Sequence, residues 1–313
     1  MFELRKFVVP EFIFGVGARH KVGLYARNLN AKRVLVVTDP GVIAAGWLAE
    51  LTSDLDEAGI SHVLFSQVTP NPRDHEVMAG AEFYRAAGCD VIVALGGGSV
   101  IDCAKGISVV IANGGDILDY EGVDAIPLPG PPLICIPTTA GTAADISQFA
   151  IINAVSRRTK VAIISKIVVP DVALVDPQTT VTMSPSLTAF SGLDALTHAI
   201  EAYVSSASSP LSDVHALAAV RSVRANLRQA VALPDDLQAR EQMMLASLQA
   251  GMAFSNASLG ATHAMAHSLG GYLDLAHGEC NALLLPAVVD FNFHASEDRF
   301  IQIGEAMGLE MKQ

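Results

Sequence analysis

Residues 91–112 read VIVALGGGSVIDCAKGISVVIA, and this stretch decides the fold of the first half of the chain. Residues 91–95 form a continuous apolar run without polar alternation, which is typical of a strand buried on both faces of a parallel sheet. Three glycines follow, and residues 100–112 have a helical composition. The stretch therefore predicts a strand, a tight glycine turn and a helix, the repeating unit of an α/β domain.

The same alternation extends over residues 1–180, with residues 7–17 expected to form a hairpin or an edge strand. It predicts right-handed crossovers and an open, mostly parallel, Rossmann-like sheet. Further strands are expected at residues 34–37, 62–68, 133–136, 149–152, 161–164 and 173–175. Helices are expected at residues 19–28, 42–58 and 74–87.

After Asp176-Pro177 the chain changes to segments rich in alanine and leucine. Helices are expected at residues 186–204, 210–230, 235–254, 257–270 and 297–307, with a shorter apolar stretch around Leu283. The sequence thus predicts two domains: a dinucleotide-binding α/β domain over 1–180 and an all-α metal-binding domain over 181–313.

Bulk properties narrow the class of protein. A net charge of −12 argues against nucleic acid as a partner, because nucleic acid requires clustered lysine and arginine. No apolar run reaches the length of a membrane span, and the N-terminus lacks the apolar core of a signal peptide, so we expect a cytoplasmic protein with no membrane partner. The four cysteines are widely spaced and are interpreted as buried reduced thiols.

The glycine turn after residue 95 is a candidate diphosphate site. Gly97, Gly98 and Ser99 would let the backbone approach a phosphate, while the free N–H groups of the following helix face its negative charge. The Rossmann fingerprint requires a further glycine where Ile101 stands, so that motif is not matched. A tight turn without a ligand is the alternative interpretation.

Two other strand ends support a nucleotide at this edge of the sheet. Thr138, Thr139 and Thr142 offer hydroxyl groups after the strand at 133–136. Asp39 ends the first buried strand, where its carboxylate would accept hydrogen bonds from a ribose and repel a 2′-phosphate, favouring NAD over NADP. Asp39 before Pro40 can equally be a turn former.

The helical half contains a group of possible metal ligands. Asp194 and His198 are four residues apart, as are His263 and His267, so each pair lies on one face of a helix. His277 precedes Gly278 in a predicted turn. A single histidine is more often a core or surface residue, but one carboxylate with three imidazoles suits Fe(II), Zn(II) or a similar divalent ion, manganese and nickel included.

Four segments together resemble the iron-containing (group III) alcohol dehydrogenases, whose members include lactaldehyde reductases and 1,3-propanediol dehydrogenases. These segments are GGGSVIDCAK, PTTAGTAAD, GLDALTHAIEAYVS and GATHAMAHSLGGYLDLAHG. The resemblance implies that the metal, Fe(II) or alternatively Zn(II), is held by Asp194, His198, His263 and His277. It places His267 beside the metal, near the nicotinamide and the substrate, as the candidate catalytic residue.

The resemblance also assigns the NAD site residue by residue. Asp39 would contact the adenosine ribose, the turn of Gly97, Gly98 and Ser99 the diphosphate, and Asp102 would lie near the nicotinamide. Thr138, Thr139 and Thr142 would line the cofactor cleft, and Lys160 would reach a ribose.

Two features of the sequence depart from the family pattern. Ala276 stands where members usually have proline before the last ligand. Members usually continue for several helices beyond the position of Gln313, so the helical domain is expected to be shortened relative to the family. The resemblance implies a homodimer or larger homo-oligomer.

The expected function is therefore NAD-linked oxidation of a small alcohol or diol to its aldehyde or ketone, with the metal as Lewis acid. Short primary alcohols, 1,2-diols and 1,3-diols all remain open as substrates. Two alternatives stand beside this function: an enzyme similar to glycerol dehydrogenase or dehydroquinate synthase, and a non-catalytic nucleotide-binding scaffold.

Overall fold

The chain divides into a sheet unit and a helical unit in the computed structural model, which describes residues 4 and 6–310. The sheet unit comprises Pro10–Thr139 and Ala144–Thr182. The helical unit comprises the chain from Met183 onward, the described residues up to Val9, and the short segment Ala140–Ala143.

The sheet unit alternates strands with helices in the predicted way. Its strands are β1 (Glu11–Phe14), β2 (Arg33–Val37), β3 (Ser61–Phe65), β4 (Val91–Gly96), β5 (Gly122–Val123), β6 (Leu133–Pro137), β7 (Phe149–Ala154), β8 (Thr159–Ile164) and β9 (Val172–Val175). Its α-helices are α1 (Val22–Asn28), α2 (Pro40–Ala44), α3 (Trp47–Glu57), α4 (Asp74–Ala87) and α5 (Gly98–Asn113).

Six strands form one parallel sheet in the order β1-β9-β6-β4-β2-β3. The chain moves outward from β2 to β3 and then returns to β4 on the other side of β2. The order of the strands therefore reverses beside β2 and β4, and open α/β sheets bind ligands at the carboxyl ends of the strands at such a point. The prediction of an open, mostly parallel sheet is confirmed.

The two faces of this sheet are covered by separate apolar clusters, as the unbroken apolar runs predict. Side chains alternate along a strand, so Leu35 and Ile92 belong to one cluster while Val36 and Val93 belong to the other. All four are fully buried. A strand that is buried on both faces cannot show polar alternation, which explains the sequence pattern.

Two local predictions for the sheet unit are wrong. The runs at 149–152 and 161–164 do not join the main sheet; β7 and β8 pair antiparallel, with β5 beside β8, in a separate three-stranded sheet. The helix predicted over 42–58 is two helices, because Gly46 between α2 and α3 has φ 92°. Residues 11–14 form an edge strand, which is one of the two alternatives predicted for residues 7–17.

The helical unit has six described α-helices. They are α6 (Pro185–Val204), α7 (Pro210–Ala232), α8 (Leu237–Ala257), α9 (Ala261–Leu273), α10 (His277–Asn292) and α11 (Glu297–Ala306). The Ser184 hydroxyl accepts a hydrogen bond from the Leu187 N–H and caps α6, and Pro185 occupies the first turn. Helix α6 packs against α7, α8 and α10 and so lies at the centre of this unit.

One prediction for the helical unit is wrong at a position that matters for the site. His277 does not lie in a turn, because it is the first residue of α10, which continues through the apolar stretch around Leu283. None of the helices among the described residues is both long enough and apolar enough to span a bilayer. All four cysteines are buried and carry free thiols, in agreement with the interpretation of the sequence.

Candidate metal and cofactor sites

Three helices of the helical unit bring four potential metal ligands to one point. Asp194 and His198 come from one face of α6, His263 from the first turn of α9 and His277 from the start of α10. One ligand atom from each of these residues lies within 4.8 Å of the other three. The four-residue spacing therefore does bring Asp194 and His198 together, and the packing of α9 and α10 adds His263 and His277.

Close helix contacts at glycine make this convergence possible. A Cβ atom on Gly278 would lie 2.3 Å from the Phe190 carbonyl oxygen, so only glycine allows the first turn of α10 to approach α6 this closely. A Cβ atom on Gly192 would lie 2.3 Å from Leu227 on α7. The backbone around the site is thus fixed by close packing and not only by the ligand residues themselves.

The distances among the ligand atoms suit a divalent metal. Asp194 Oδ1 lies 3.9 Å from His198 Nδ1, 3.7 Å from His263 Nε2 and 3.5 Å from His277 Nε2. Ligand atoms in a tetrahedral site with metal–ligand bonds of about 2.1 Å are separated by about 3.4 Å. A small inward adjustment of the side chains would therefore bring all four donors to bonding distance.

Unpaired and convergent polar atoms support the same conclusion. His198 Nδ1 is buried without a hydrogen-bond partner. The Asn281 amide nitrogen lies 2.7 Å from Asp194 Oδ1 and 3.1 Å from Nε2 of both His263 and His277, so a donor group sits where these acceptor atoms converge. The arrangement fits a cation, and one oxygen with three nitrogen donors fits Fe(II) or Zn(II).

The electrostatics of the cluster keep Asp194 and His198 in the forms that bind metals. Burial would raise the pKa of Asp194, but the imidazoles of His198, His277 and His263 outweigh it and hold the pKa well below its ordinary value. Burial lowers the pKa of His198 to about 4, so this imidazole is neutral near neutral pH. For His263, burial lowers the pKa, but hydrogen bonds to Asp194 and Glu201 leave it raised overall. An ionised carboxylate and a neutral imidazole are the forms that ligate a metal.

His267 lies beside this group and is not a member of it. Its ring centroid is 5.0 Å from that of His277 and 6.2 Å from that of His263. His267 is half-buried, whereas His198 and His263 are fully buried. This position is compatible with the expected neighbour of the metal.

The sequence reading overlooked two side chains of this site. Glu201 Oε2 lies 2.5 Å from His263 Nδ1, and Asn281 contacts three of the four ligands. Helical spacing could have identified both, because Glu201 lies three residues after His198 and Asn281 lies four after His277. A glutamate and an asparagine in alanine-rich helices do not stand out by residue type.

In the sheet unit, the candidate cofactor residues cluster at the carboxyl ends of β2, β4 and β6. Gly97 is the N-terminal cap of α5, and Gly98 and Ser99 form its first turn. A Cβ atom on Gly97 would lie 3.1 Å from the side chain of Thr139, so the two strand ends are in close contact. Thr138 continues from β6, and its N–H donates to the Gly96 carbonyl.

Asp39 and Lys160 have structural partners at this edge. Asp39 caps α2 by accepting a hydrogen bond from the Val42 N–H at 2.9 Å, which is the turn-forming role set out as an alternative. This bond uses Oδ1 only, so the interpretation as a ribose contact stays open. Lys160 donates to the Asn71 side chain at 2.7 Å, and the Asn71 N–H donates to Ser99 Oγ, which links the lysine to the glycine turn.

Asp102 differs from these residues because part of its carboxylate has no partner. Its Oδ1 is buried without a hydrogen bond. Burial raises the pKa of Asp102 to about 6, although Lys105, the Ile151 N–H and Lys160 act in the opposite direction. An uncompensated buried carboxylate oxygen beside a glycine turn is suited to accept a hydrogen bond from a ligand.

Thr142 is the one predicted cofactor residue outside the sheet unit. It belongs to the segment Ala140–Ala143, which is assigned to the helical unit. The remaining candidates, from Asp39 to Lys160, all lie in the sheet unit.

Comparison with known proteins identifies the family of both halves. Residues 10–177 match the model of the iron-containing alcohol dehydrogenases, and residues 188–313 match the C-terminal model of the Fe-containing alcohol dehydrogenase family. The chain is 44% identical to 1,3-propanediol dehydrogenase of Citrobacter freundii, covering 96% of this chain and 79% of the relative. It is 39% identical to the NAD-dependent methanol dehydrogenase of Bacillus methanolicus, again covering 96% of this chain and 79% of the relative.

A solved structure shows the same fold. The crystal structure of a 1,3-propanediol oxidoreductase superposes with a TM-score of 0.96 at 42% identity, covering 98% of this chain and 81% of that one. These matches do not favour the glycerol dehydrogenase-like or scaffold alternatives.

Proposed function

The chain belongs to the iron-containing alcohol dehydrogenase family, and on that premise we propose that it interconverts a short alcohol or diol and its aldehyde or ketone at a metal held by Asp194, His198, His263 and His277. The enzyme class follows from the family: an oxidoreductase dependent on NAD and a divalent metal. The observation that carries the ligand assignment is the convergence of four donor atoms from α6, α9 and α10 within 4.8 Å.

Two of the ligands, Asp194 and His198, have separate tasks in this proposal. A divalent metal supplies Lewis-acid polarisation of the alcohol oxygen when bound. Asp194 is the only carboxylate among the four proposed ligands. Its low pKa keeps it ionised, so it supplies a negative charge to the metal over the working pH range. His198 is stacked between Phe254 and His263, with ring centroids 4.2 and 4.4 Å away, so its ring plane is fixed and water is excluded from that side.

The proposed NAD site uses the carboxyl edge of the sheet. Gly97, Gly98 and Ser99 at the start of α5 bind the diphosphate through backbone N–H groups and the helix dipole. Asp39 and Lys160 hold the riboses, Thr138, Thr139 and Thr142 line the site, and the unpartnered Asp102 Oδ1 accepts a hydrogen bond from the nicotinamide amide. Hydride transfer requires the carbinol carbon and the nicotinamide ring to come within about 3.5 Å of each other.

His267 is proposed to carry the proton that leaves the alcohol. Its half-buried ring lies 5.0 Å from His277, so it can reach both the site and solvent. A His267→Gln enzyme should keep its metal and lose about 10²-fold or more in kcat, with an altered pH profile. An unchanged pH profile combined with a raised KM for NAD would instead assign His267 to packing against the cofactor.

The substrate class rests on the relatives. The two relatives above act, by their names, on 1,3-propanediol and on methanol. We extend this to the present chain as activity on short primary alcohols and short diols. A cytoplasmic location and a homodimeric or larger assembly are part of the same proposal, and the exposed Leu283 and Phe291 on α10 support an assembly.

The test is an alcohol panel assayed by NADH absorbance. Enzyme stripped with a chelator is supplied with Fe(II) or Zn(II) and offered methanol, ethanol, 1,2-propanediol, 1,3-propanediol and glycerol. We expect metal-dependent NADH formation on at least one of them, abolished in His198→Ala and retained in His294→Ala, an exposed histidine of the same unit. Activity that survives in His198→Ala at the wild-type level would contradict the ligand assignment.

A further inference from the structure

Glu201 makes a contact that the reaction itself does not require. It lies on α6 one helical turn after His198, is only 4% exposed, and its Oε2 lies 2.5 Å from His263 Nδ1. The other ring nitrogen, Nε2, lies 3.7 Å from Asp194 Oδ1 and faces the ligand cluster. The imidazole of His263 is thus held between two carboxylates, with Glu201 on the side away from the other ligands.

We propose that Glu201 is a positioning residue that fixes the tautomer and ring orientation of His263 and thereby sets the affinity and selectivity of the site for its metal. The inference rests on the proposed function, since it takes His263 as a ligand. An ionised carboxylate can only accept hydrogen bonds, so the short contact places the ring proton on Nδ1. The lone pair is then on Nε2, the nitrogen that faces Asp194.

The chain holds the Glu201 carboxylate by its second oxygen as well. Oε1 accepts a hydrogen bond from the backbone N–H of Thr262 at 2.7 Å, in the first turn of α9. A Cβ atom on Gly260 would lie 2.9 Å from the same oxygen, so glycine is needed there for the carboxylate to fit. The turn before α9 and the N–H groups of its first turn therefore form a binding site for the Glu201 carboxylate.

The charge balance also indicates that Glu201 belongs to a cation site. Asp194 and Glu201 are 2% and 4% exposed, and within the part of the chain that the structure describes neither is paired with a lysine or arginine. Burying two carboxylates is costly unless a positive charge accompanies them. A divalent ion at the cluster would balance both negative charges. Asp194 would contact the ion directly, and Glu201 would interact with it through the imidazole of His263.

The substitution Glu201→Gln removes the negative charge of the side chain but keeps its shape. Its amide is almost isosteric and can still accept from the Thr262 N–H, but it can present either a donor or an acceptor to His263 and so no longer selects one tautomer. Loss of such an outer contact to a ligating histidine typically weakens metal binding by about 10- to 100-fold. The matched control is Asp213→Asn, which removes a carboxylate of the same unit that pairs with Arg299 and contacts no ligand.

The experiment measures the affinity for Zn(II) and Co(II) by competition with a chelating dye, together with the visible spectrum of the Co(II) form. Wild type, Glu201→Gln, Glu201→Ala and Asp213→Asn are compared, and circular dichroism verifies that each is folded. We expect affinity to fall about 10- to 100-fold in Glu201→Gln and further in Glu201→Ala, with shifted Co(II) bands. Asp213→Asn should match the wild type in both measurements.

Two results distinguish this inference from the proposed function. Folded Glu201→Gln and Glu201→Ala proteins that bind both metals as tightly as wild type, with unchanged Co(II) spectra, would overturn the role of Glu201 alone. A wild type that binds metal in a Glu201-dependent way but oxidises no alcohol with NAD would overturn the proposed function alone. A folded wild type that takes up neither metal would overturn both.

Discussion

Replacing Asp102 by asparagine is predicted to stabilise the sheet unit while weakening NAD binding. Asp102 Oδ1 is buried without a hydrogen-bond partner, and burial raises the pKa of this carboxyl to about 6. Lys105 does not remove this cost, because its ammonium donates to the carbonyl oxygens of Ser147 and Phe149 at 2.8 and 2.7 Å. Near neutral pH the cofactor-free protein therefore holds an unfavourable buried charge that asparagine would not carry.

The magnitude follows from proton linkage. The ordinary pKa of the carboxyl is 3.8 and its pKa in the folded protein is about 6. Between these values the folded state binds more protons than the unfolded state, so stability falls as pH rises through this window. At about 1.4 kcal/mol per pH unit, the difference amounts to at most about 3 kcal/mol above pH ~6. The variant should gain this amount relative to wild type near neutral pH and lose the advantage below about pH 4.

The assay is urea unfolding of the cofactor-free proteins, followed by the fluorescence of Trp47. This is the single tryptophan of the chain and is buried in the sheet unit, so it reports on the unit that contains Asp102. Glu121→Gln serves as the control, since it removes an exposed carboxylate that pairs with Arg157. A stability difference between Asp102→Asn and wild type that stays constant from about pH 4 to pH 8 would show that Asp102 carries no unfavourable buried charge. Because the asparagine oxygen can still accept a hydrogen bond, Asp102→Ala tests the cofactor contact, and unchanged NAD affinity in that variant would refute the assignment of Asp102 to the cofactor.

Three further predictions address the metal site and the stability of the sheet unit. Removing the metal with a chelator should lower the melting temperature, because a metal present at 100 times its Kd contributes about 3 kcal/mol; a melting curve that does not move would contradict this. Gly278→Ala should weaken Zn(II) binding at least about 10-fold in a dye competition, since the added Cβ meets the Phe190 carbonyl and must displace His277; wild-type affinity would count against it. Arg19→Met should cost about 3–5 kcal/mol in urea unfolding followed by circular dichroism, because the buried Asp176 carboxylate keeps its backbone N–H donors but loses the guanidinium that contacts it at 2.6 Å. A loss below about 1 kcal/mol would contradict this expectation.

Much of the sheet unit could be predicted because a strand that is buried on both faces has an unbroken run of apolar residues. Residues 34–37 and 91–95 are apolar at every position, and the structure buries them on both faces. The runs at 149–152 and 161–164 look the same locally but form a separate antiparallel sheet. Which sheet a strand joins depends on long-range pairing, and a short apolar run carries no information about its partner.

The metal cluster was predictable where a helical spacing joins two unusual residue types. Asp194 and His198 are such a pair and were predicted. Glu201 and Asn281 also lie at helical spacing from ligands, but the sequence analysis did not predict them. Their contacts depend on where α9 and α10 lie against α6, and that packing is set by close approaches at Gly260 and Gly278. A sequence shows that a glycine is present, but it does not show which backbone or side chain approaches it.

The central claim is that Asp194, His198, His263 and His277 hold a metal on which NAD-linked alcohol oxidation depends. The most direct measurement is NADH formation by chelated protein after Fe(II) or Zn(II) is restored, with metal content determined in parallel for wild type and His263→Ala. We expect added metal to restore activity in wild type only, and His263→Ala to retain little metal. A His263→Ala protein with wild-type metal content and wild-type activity would contradict it.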